Sequence, residues 1–475
     1  MKKKFPFLTV NACFQVAGLG LLLFCGVTSA ATVYAQSKAS PPEKTPQPES
    51  VSPFQFNGQA TFILQNLFRF HSPYQNDTGG AGGGSLLSRN ESEISQTYTL
   101  YIGARVRPNV ELYLNPEMAR GHGVSNAVGL AGYSNGEVIR NPTISQDPYL
   151  GRYFVRWNVA AGKGAGTEKV EAAQNQVAGT RRVHRLVVTA GKLGVSDIFD
   201  LNGYANSTRT QFMNWALLNN GAYDYAADTR GYTLGAAVEW INPTFAVRFG
   251  SFQMPTVANG INLAGDIAKN RGDNLEIEAH TGLLRHKAPF IVRLLGYRNV
   301  ARMGDYRKSV ALAKANGATP DITQTETNGN VKYGFGLNLE QPLGDGGNTG
   351  LFARYSWDDG ATESFAYTEI DRHISVGAQI SGSRWKRPND KFAVALVQND
   401  LSGAHKDYLA AGGAGFIIGD GKLNYGSEQI LESYYTVQFS KTIGVSLDFQ
   451  YINNPAYNRD RGPASILSLR SHFEF

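Results

Sequence analysis

The chain reads as an all-β protein, a 16-stranded antiparallel transmembrane β-barrel with short periplasmic turns and long outer loops. Three observations point there. The last eleven residues alternate strictly and stop on an aromatic: Leu467, Leu469, Ser471, Phe473 and Phe475 share one face, and Ile466, Ser468, Arg470, His472 and Glu474 share the other. A strand with an apolar face and a charged face, ending in a C-terminal Phe, fits a barrel with lipid outside and water inside. The N-terminus carries the features of a secreted chain. Finally, segments of near ten residues with period-two alternation recur along the sequence, and no run of 18 apolar residues offers a membrane helix.

Residues 1–35 form the expected signal peptide. Lys2, Lys3 and Lys4 make a positive start, Leu8–Val27 is mostly apolar, and Val33-Tyr34-Ala35 offers small residues for cleavage after Ala35. Thr28-Ser29-Ala30 is a second cleavage option. Both cysteines, Cys13 and Cys25, fall in this segment, so the mature chain has no disulfide framework. Phe24 before Cys25 argues against lipoprotein processing, which needs a small residue there. Residues 36–53 hold Pro41, Pro42, Pro46, Pro48 and Pro53 among Ser, Lys, Glu and Gln, a periplasmic linker unable to build a core. From Phe54 to Phe475 one continuous barrel is expected.

Composition agrees. The chain has 23 Tyr, 25 Phe and 53 Gly but only 18% charged residues, which many short alternating strands explain better than one large soluble core. The formal charge of +6 includes three signal-peptide lysines and no Lys/Arg block, which argues against nucleic acid.

Candidate strands fall at 54–65, 95–107, 109–117, 151–160, 183–193, 229–241, 244–253, 274–285, 289–298, 331–340, 349–357, 371–381, 391–399, 428–439, 442–452 and 463–475. The number is even, as a barrel with both ends in the periplasm requires. Connections such as Pro108-Asn109, Asn242-Pro243 and Lys441 are short, whereas 66–94, 118–150, 194–228, 254–273, 299–330 and 400–427 are long. The connection 161–182 is too long for a turn and does not fit the alternation. A soluble sandwich would explain one such strand, but it would bound each domain at roughly 100–250 residues. Tyr98, Trp157, Trp240, Tyr355, Trp357 and Tyr451 take outward parity near strand ends, where amphipathic rings sit at lipid headgroups.

Inward parity selects the pore-lining candidates. These are Arg105, Arg107, Arg156, Arg248, Arg354 and Lys332, with Glu111, Glu117, Glu239, Glu276, Glu278 and Glu340. Tyr101, Tyr113 and Phe154 add flat rings for sugar C–H edges. Rings of one sign select ions, whereas mixed signs supply donors and acceptors for hydroxyl-rich solutes. The competing expectation is that these charges pair across the wall and stiffen it. Two loop stretches are constriction candidates: Asn115–Gly123, with Arg120, and Lys192–Arg230, with Asp197, Asp200, Arg209, Asp224, Asp228 and Arg230.

Six segments resemble the carbohydrate-selective porin family of OprB type. They are ELYLNPEMARGHGVSNAVGLAGYSNGE at 111–137, AGKLGVSDIFDLNGYANSTRTQFMNWAL at 190–217, GAYDYAADTRGYTLGAAVEW at 221–240, RLLGYRNVARMGDYRKSV at 293–310, GAHKDYLAAGGAGFIIGDGKLNYGSEQILESYY at 403–435 and YINNPAYNRDRGPASILSLRSHFEF at 451–475. The resemblance covers nearly the whole barrel. It implies a sixteen-stranded outer-membrane channel for facilitated diffusion of mono- or oligosaccharides, with an arginine-rich constriction and acidic and aromatic companions. It assigns no individual binding residue.

Catalytic and metal chemistry finds no support. The eight histidines lack metal-site spacing, and GFIIGDGK at 415–422 has Leu423 where a phosphate loop needs Ser or Thr. No G-x-S-x-G elbow is present. The expected protein is thus not an enzyme and takes no cofactor. Its expected partners are outer-membrane lipid, sugars and the barrel-assembly machinery, engaged through Phe475 after Sec-type secretion to the bacterial outer membrane. A homotrimer is common among porins, although no strand exposes an obvious subunit patch. The rival functions are a porin for organic acids or acidic polysaccharide, an outer-membrane hydrolase, and a structural barrel.

Overall fold

The computed structural model describes residues 52–74, 84–140, 144–162, 166–282 and 288–475. The expected signal peptide and all but the end of the linker lie outside the described residues. Eighteen strands follow in chain order: β1 (Phe54–Leu67), β2 (Glu91–Arg107), β3 (Val110–Gly121), β4 (Tyr149–Ala160), β5 (Thr167–Val170), β6 (Gly179–Arg182), β7 (Arg185–Leu193), β8 (Thr233–Ile241), β9 (Phe245–Gln253), β10 (Arg271–Thr281), β11 (Phe290–Met303), β12 (Thr327–Pro342), β13 (Gly350–Asp358), β14 (Arg372–Ser381), β15 (Lys391–Asp400), β16 (Glu428–Gln438), β17 (Ile443–Asn453) and β18 (Ala464–Glu474). Among the described residues, two helices of eight residues or more, α1 (Tyr306–Asn316) and α2 (Gly403–Ala410), lie in the long connections.

All strands except β5 and β6 form one closed antiparallel barrel in sequence order, sealed where β1 pairs with β18. Closure leaves no unpaired edge, which is what a sheet needs where water cannot satisfy its backbone. The seam is tight at its end. The Gly58 and Phe475 backbones exchange two hydrogen bonds of 3.0 Å, and the Phe475 ring occupies the space that a Cβ on Gly58 would fill. Phe475 thus closes the barrel over a residue with no side chain.

The alternation sorts the faces as lipid outside and water inside require. Phe335 is 40% exposed, Leu447 54% and Phe473 38%, all on the outer surface rather than in a dry interior. The inward partners on the same strands, such as Asn338, Asp448 and Arg470, are buried. Trp157, Trp240 and Tyr355 are also exposed on the outer face.

The short connections and both barrel termini share one end, the periplasmic end in a barrel of this kind. The connection 161–184 is the exception. It contains the β5–β6 hairpin, which pairs from Thr167↔Arg182 to Val170↔Gly179. The hairpin is held to the inner face of the barrel. Gln176 backbone N–H donates to Gln55 Oε1 at 3.0 Å, Arg105 donates to the Val177 and Ala178 carbonyls at 3.1 and 2.9 Å, and Asn115 donates to Asn175 Oδ1 at 2.8 Å. The length that disqualified this segment as a turn reflects a small sheet of its own.

At the other end, the connection 194–232 runs inside the barrel. Asn214 caps a single helical turn, Trp215–Leu218, by accepting from Ala216 N–H. Tyr204 reaches far enough to donate to the Gly347 carbonyl, in the periplasmic turn between β12 and β13, at 2.9 Å.

Candidate functional site

Two sides of the barrel treat their inward charges differently. From β8 to β13 the charges bind one another and the inserted loop. Arg248 bridges Glu239, Glu276 and Glu278 at 3.0, 2.8 and 3.1 Å, and Arg293 bridges Glu278 and Glu340 at 2.7 and 3.0 Å. The loop joins this network: Asp200 N–H donates to Glu276 at 2.7 Å and Gly203 N–H to Glu340 at 3.0 Å. Arg354 pairs with Asp200 at 3.6 Å and donates to the Leu217 carbonyl at 2.7 Å. Lys332 is sealed between Asp224 and Asp358 at 3.3 and 3.8 Å. A buried ion pair must recover its desolvation through geometry and extra hydrogen bonds, and this wall supplies both. These groups anchor the loop.

On the other side, the strands β2, β3, β4, β7 and β8, with residues 136–139 and parts of the connections 161–184, 194–232 and 359–371, enclose a cavity of about 670 Å³. Of the residues selected by parity or loop composition, Glu117, Phe154, Arg156, Glu239, Asp197, Arg209, Asp228 and Arg230 line it. Its centre is a carboxylate hub. Glu117 accepts from Tyr149 and Tyr232 hydroxyls at 2.6 and 2.7 Å, from Thr99 at 2.8 Å and from Arg209 at 3.3 Å. Arg209 also donates to Glu137 at 2.8 Å and to the Tyr101 hydroxyl at 2.9 Å. Burial opposes the Arg209 charge, but Glu137, Tyr101 and Glu117 outweigh it and raise its pKa. Burial also raises the Asp228 carboxyl, only partly offset by Lys192 at 3.4 Å.

Arginines and rings alternate down this side. Arg230 lies 3.8 Å from the Tyr149 ring centre, Arg152 4.8 Å from that of Tyr232, and Arg156 5.1 and 5.3 Å from those of Tyr113 and Phe154. Arg152 and Arg156 share the inward face of β4, as residues four apart on a strand must. Arg152 is also held by Asp197 at 2.6 Å. Across the cavity Trp215 and Tyr367 stack at 4.9 Å, within 3° of parallel.

The remaining candidates lie elsewhere. Arg105 and Glu111 pair at 2.8 Å beside the hairpin, and Tyr113 donates to Glu111 at 2.8 Å. Arg107 is exposed at the end of β2, and Arg120 is exposed on the outward parity of β3. Sequence reading passed over Arg152, Arg185, Glu137, Tyr232, Trp215 and Tyr367, all in the cavity lining. Arg152 was within reach, because it shares parity with Arg156. Glu137, Trp215 and Tyr367 belong to loops, where no periodicity tells which side chain faces water.

A closed barrel with polar side chains inside, apolar ones outside and a loop folded into its lumen has the architecture of a porin. The match to a family model confirms the class and narrows it: residues 87–475 match the carbohydrate-selective porin, OprB family, and the chain belongs to that family. Among solved structures it is similar to the high-pH structure of OprB from Pseudomonas putida, with 17% identity, a TM-score of 0.66, and coverage of 89% of this chain and 94% of that one. It is more distantly similar to OmpF of Salmonella typhi in complex with daunomycin (12% identity, TM-score 0.47, coverage 89% and 97%). A loop-deletion mutant of OmpT from Vibrio cholerae is comparably distant (12% identity, TM-score 0.46, coverage 89% and 99%). No curated protein sequence matches the chain significantly. The chain is thus a carbohydrate-selective porin of the bacterial outer membrane.

Proposed function

We propose that sugars pass through the off-centre channel between β2–β8 and the inserted 194–232 loop, one ring at a time. The observation that supports this reading most is the lining of the 670 Å³ cavity. Arginine donors, carboxylate acceptors and ring faces alternate along one wall, which suits the mixed hydroxyl and C–H surface of a monosaccharide. The constriction is then the Glu117–Arg209–Glu137 cluster, where three elements meet. Arg152, Arg156 and Arg230 are the other donors that meet the solute. Passage is passive and involves no covalent step. The chain reaches the membrane through a Sec-type leader in residues 1–35, and the barrel-assembly machinery recognises the strand ending in Phe475.

Liposome swelling tests the reading. Vesicles holding the purified protein should swell rapidly in glucose and slowly in a neutral trisaccharide. Equal rates would show that the cavity does not sieve, and no swelling in either sugar would leave only a structural or enzymatic role.

A further inference from the structure

Passage of neutral sugars leaves the periplasmic end of the channel unexplained. There the ends of β2, β3 and β4 and the β5–β6 hairpin enclose a second cavity of about 270 Å³. Arg156, Arg181 and Arg185 line both cavities, so the two adjoin along one wall. Arg105, Arg156, Arg181, Arg182 and Arg185 line the smaller one, with Glu111 as its sole lining carboxylate among the described residues.

With Arg182 left aside, the pairing among the described residues still leaves positive charge over. Glu111 engages Arg105 at 2.8 Å, and Glu168 on the hairpin is shared between Arg181 at 2.6 Å and Arg185 at 3.1 Å. Arg156 makes no ion pair among the described residues; it donates to the Asn175 carbonyl at 2.8 Å and rests on two rings. Arg185 is only 7% exposed, and its buried Nε has no hydrogen-bond acceptor among the described residues. A buried guanidinium short of one acceptor carries charge that is incompletely compensated, and an oxyanion in the adjoining space would offset part of that cost. The planar fork of arginine suits a carboxylate or a phosphate. Asn158, Gln176 and Thr180 in the same lining can pair with hydroxyls. A space this small holds one sugar ring.

We propose that the hairpin vestibule binds the oxyanion of an anionic monosaccharide, a sugar carboxylate or a sugar phosphate, so that the channel takes acidic sugars besides neutral ones. The proposal rests on the reading of the barrel as a sugar channel and adds a charged subsite to it.

Single-channel currents of the full barrel in an uncharged bilayer provide the test. Glucose, galacturonate, glucose 6-phosphate and inorganic phosphate are added in turn from the hairpin side. At least one anionic sugar should block at about tenfold lower concentration than glucose, the factor expected for one charge-assisted hydrogen bond. Which of the two blocks identifies the oxyanion. Arg182→Gln, absent from the larger cavity, should weaken the anionic block severalfold and leave glucose block unchanged. Arg185→Gln should weaken the anionic block further; if that variant does not fold, Arg182→Gln alone decides. The proposal fails if neither anionic sugar surpasses glucose or if Arg182→Gln leaves the anionic block intact. It also fails if inorganic phosphate blocks as well as the better of the two anionic sugars, which marks an ion site indifferent to sugar. Glucose swelling of the same vesicles keeps the neutral-sugar reading separately testable.

Discussion

At the scale of single residues, Arg209 ties three elements together at the proposed constriction. It joins Glu117 on β3 to Glu137 on the 122–148 connection from a third element, the inserted loop. Without it Glu117 and Glu137, both largely buried, keep hydroxyl donors but lose their ion pair among the described residues. Arg209→Ala should therefore lower stability by about 3 kcal/mol or more in denaturant unfolding, since removing one partner strands the others. The same variant should raise single-channel conductance and weaken glucose block. An unchanged conductance would place the constriction elsewhere. Glu363, in the outer 359–371 connection, gives a pH signature. Burial pushes its carboxyl up to about 7, only partly countered by the Gly304 N–H that donates to it at 2.6 Å. Its folded pKa exceeds the unfolded value near 4.5, so between those values the folded loop binds more protons than the unfolded one. The contribution is then present in full below pH 4.5 and is lost as pH rises through 7. Hydrogen exchange of the Gly304 amide should be slower at pH 5 than at pH 8 after correction for intrinsic rates. Glu363→Gln should remove most of that difference, and a difference that persists in the variant would assign it to another group.

At the scale of elements, two contacts between a ring and a glycine set how parts of the chain seat. A Cβ on Gly350 of β13 would lie 2.1 Å from the Tyr204 ring, so the inserted loop depends on a bare backbone there. Gly350→Val should unseat the loop tip, seen as faster proteolysis between residues 194 and 232 with the barrel intact. Unaltered cleavage would mean that Asp200 and Glu340 hold the loop without the ring. The Gly58–Phe475 contact works in the same way at the seam. Removing Phe475 should reduce the yield of folded barrel far more than Phe475→Tyr does, as read by β-structure in circular dichroism after refolding. Equal yields would show that the terminal ring contributes nothing to closure. The hairpin β5–β6 illustrates the limit of strand reading. Its strands have four residues each, too short for alternation to register, and Val170 is the one apolar residue in them.

At the scale of the whole molecule, the barrel was legible because lipid imposes period two on every spanning strand. All sixteen barrel strands fall where alternation placed them, with ends differing by a few residues. The turn-side and loop-side asymmetry was legible for the same reason, apart from 161–184. The channel was less so. Parity told that Arg248, Lys332 and Arg354 face inward, but not that the 194–232 loop would lie over them and take up their charge. Facing the lumen and meeting the solute are separate properties, and the second depends on where a long loop goes. Trp215 and Tyr367 escaped notice because loop residues carry no period. In the proposed path, solute meets only the β2–β8 side while the outer face meets lipid. Both native cysteines lie at positions 13 and 25, so the barrel accepts single reporter cysteines without interference. The most direct measurement is the labelling rate of Asn158→Cys, Ser356→Cys and Leu447→Cys in vesicles by a charged, water-soluble thiol reagent, with and without glucose. Labelling at 158 should be fast and slowed by glucose, with little labelling at 356, beneath the loop, or at 447, in lipid. Equal labelling at 158 and 356, or no effect of glucose at 158, would contradict the proposed path.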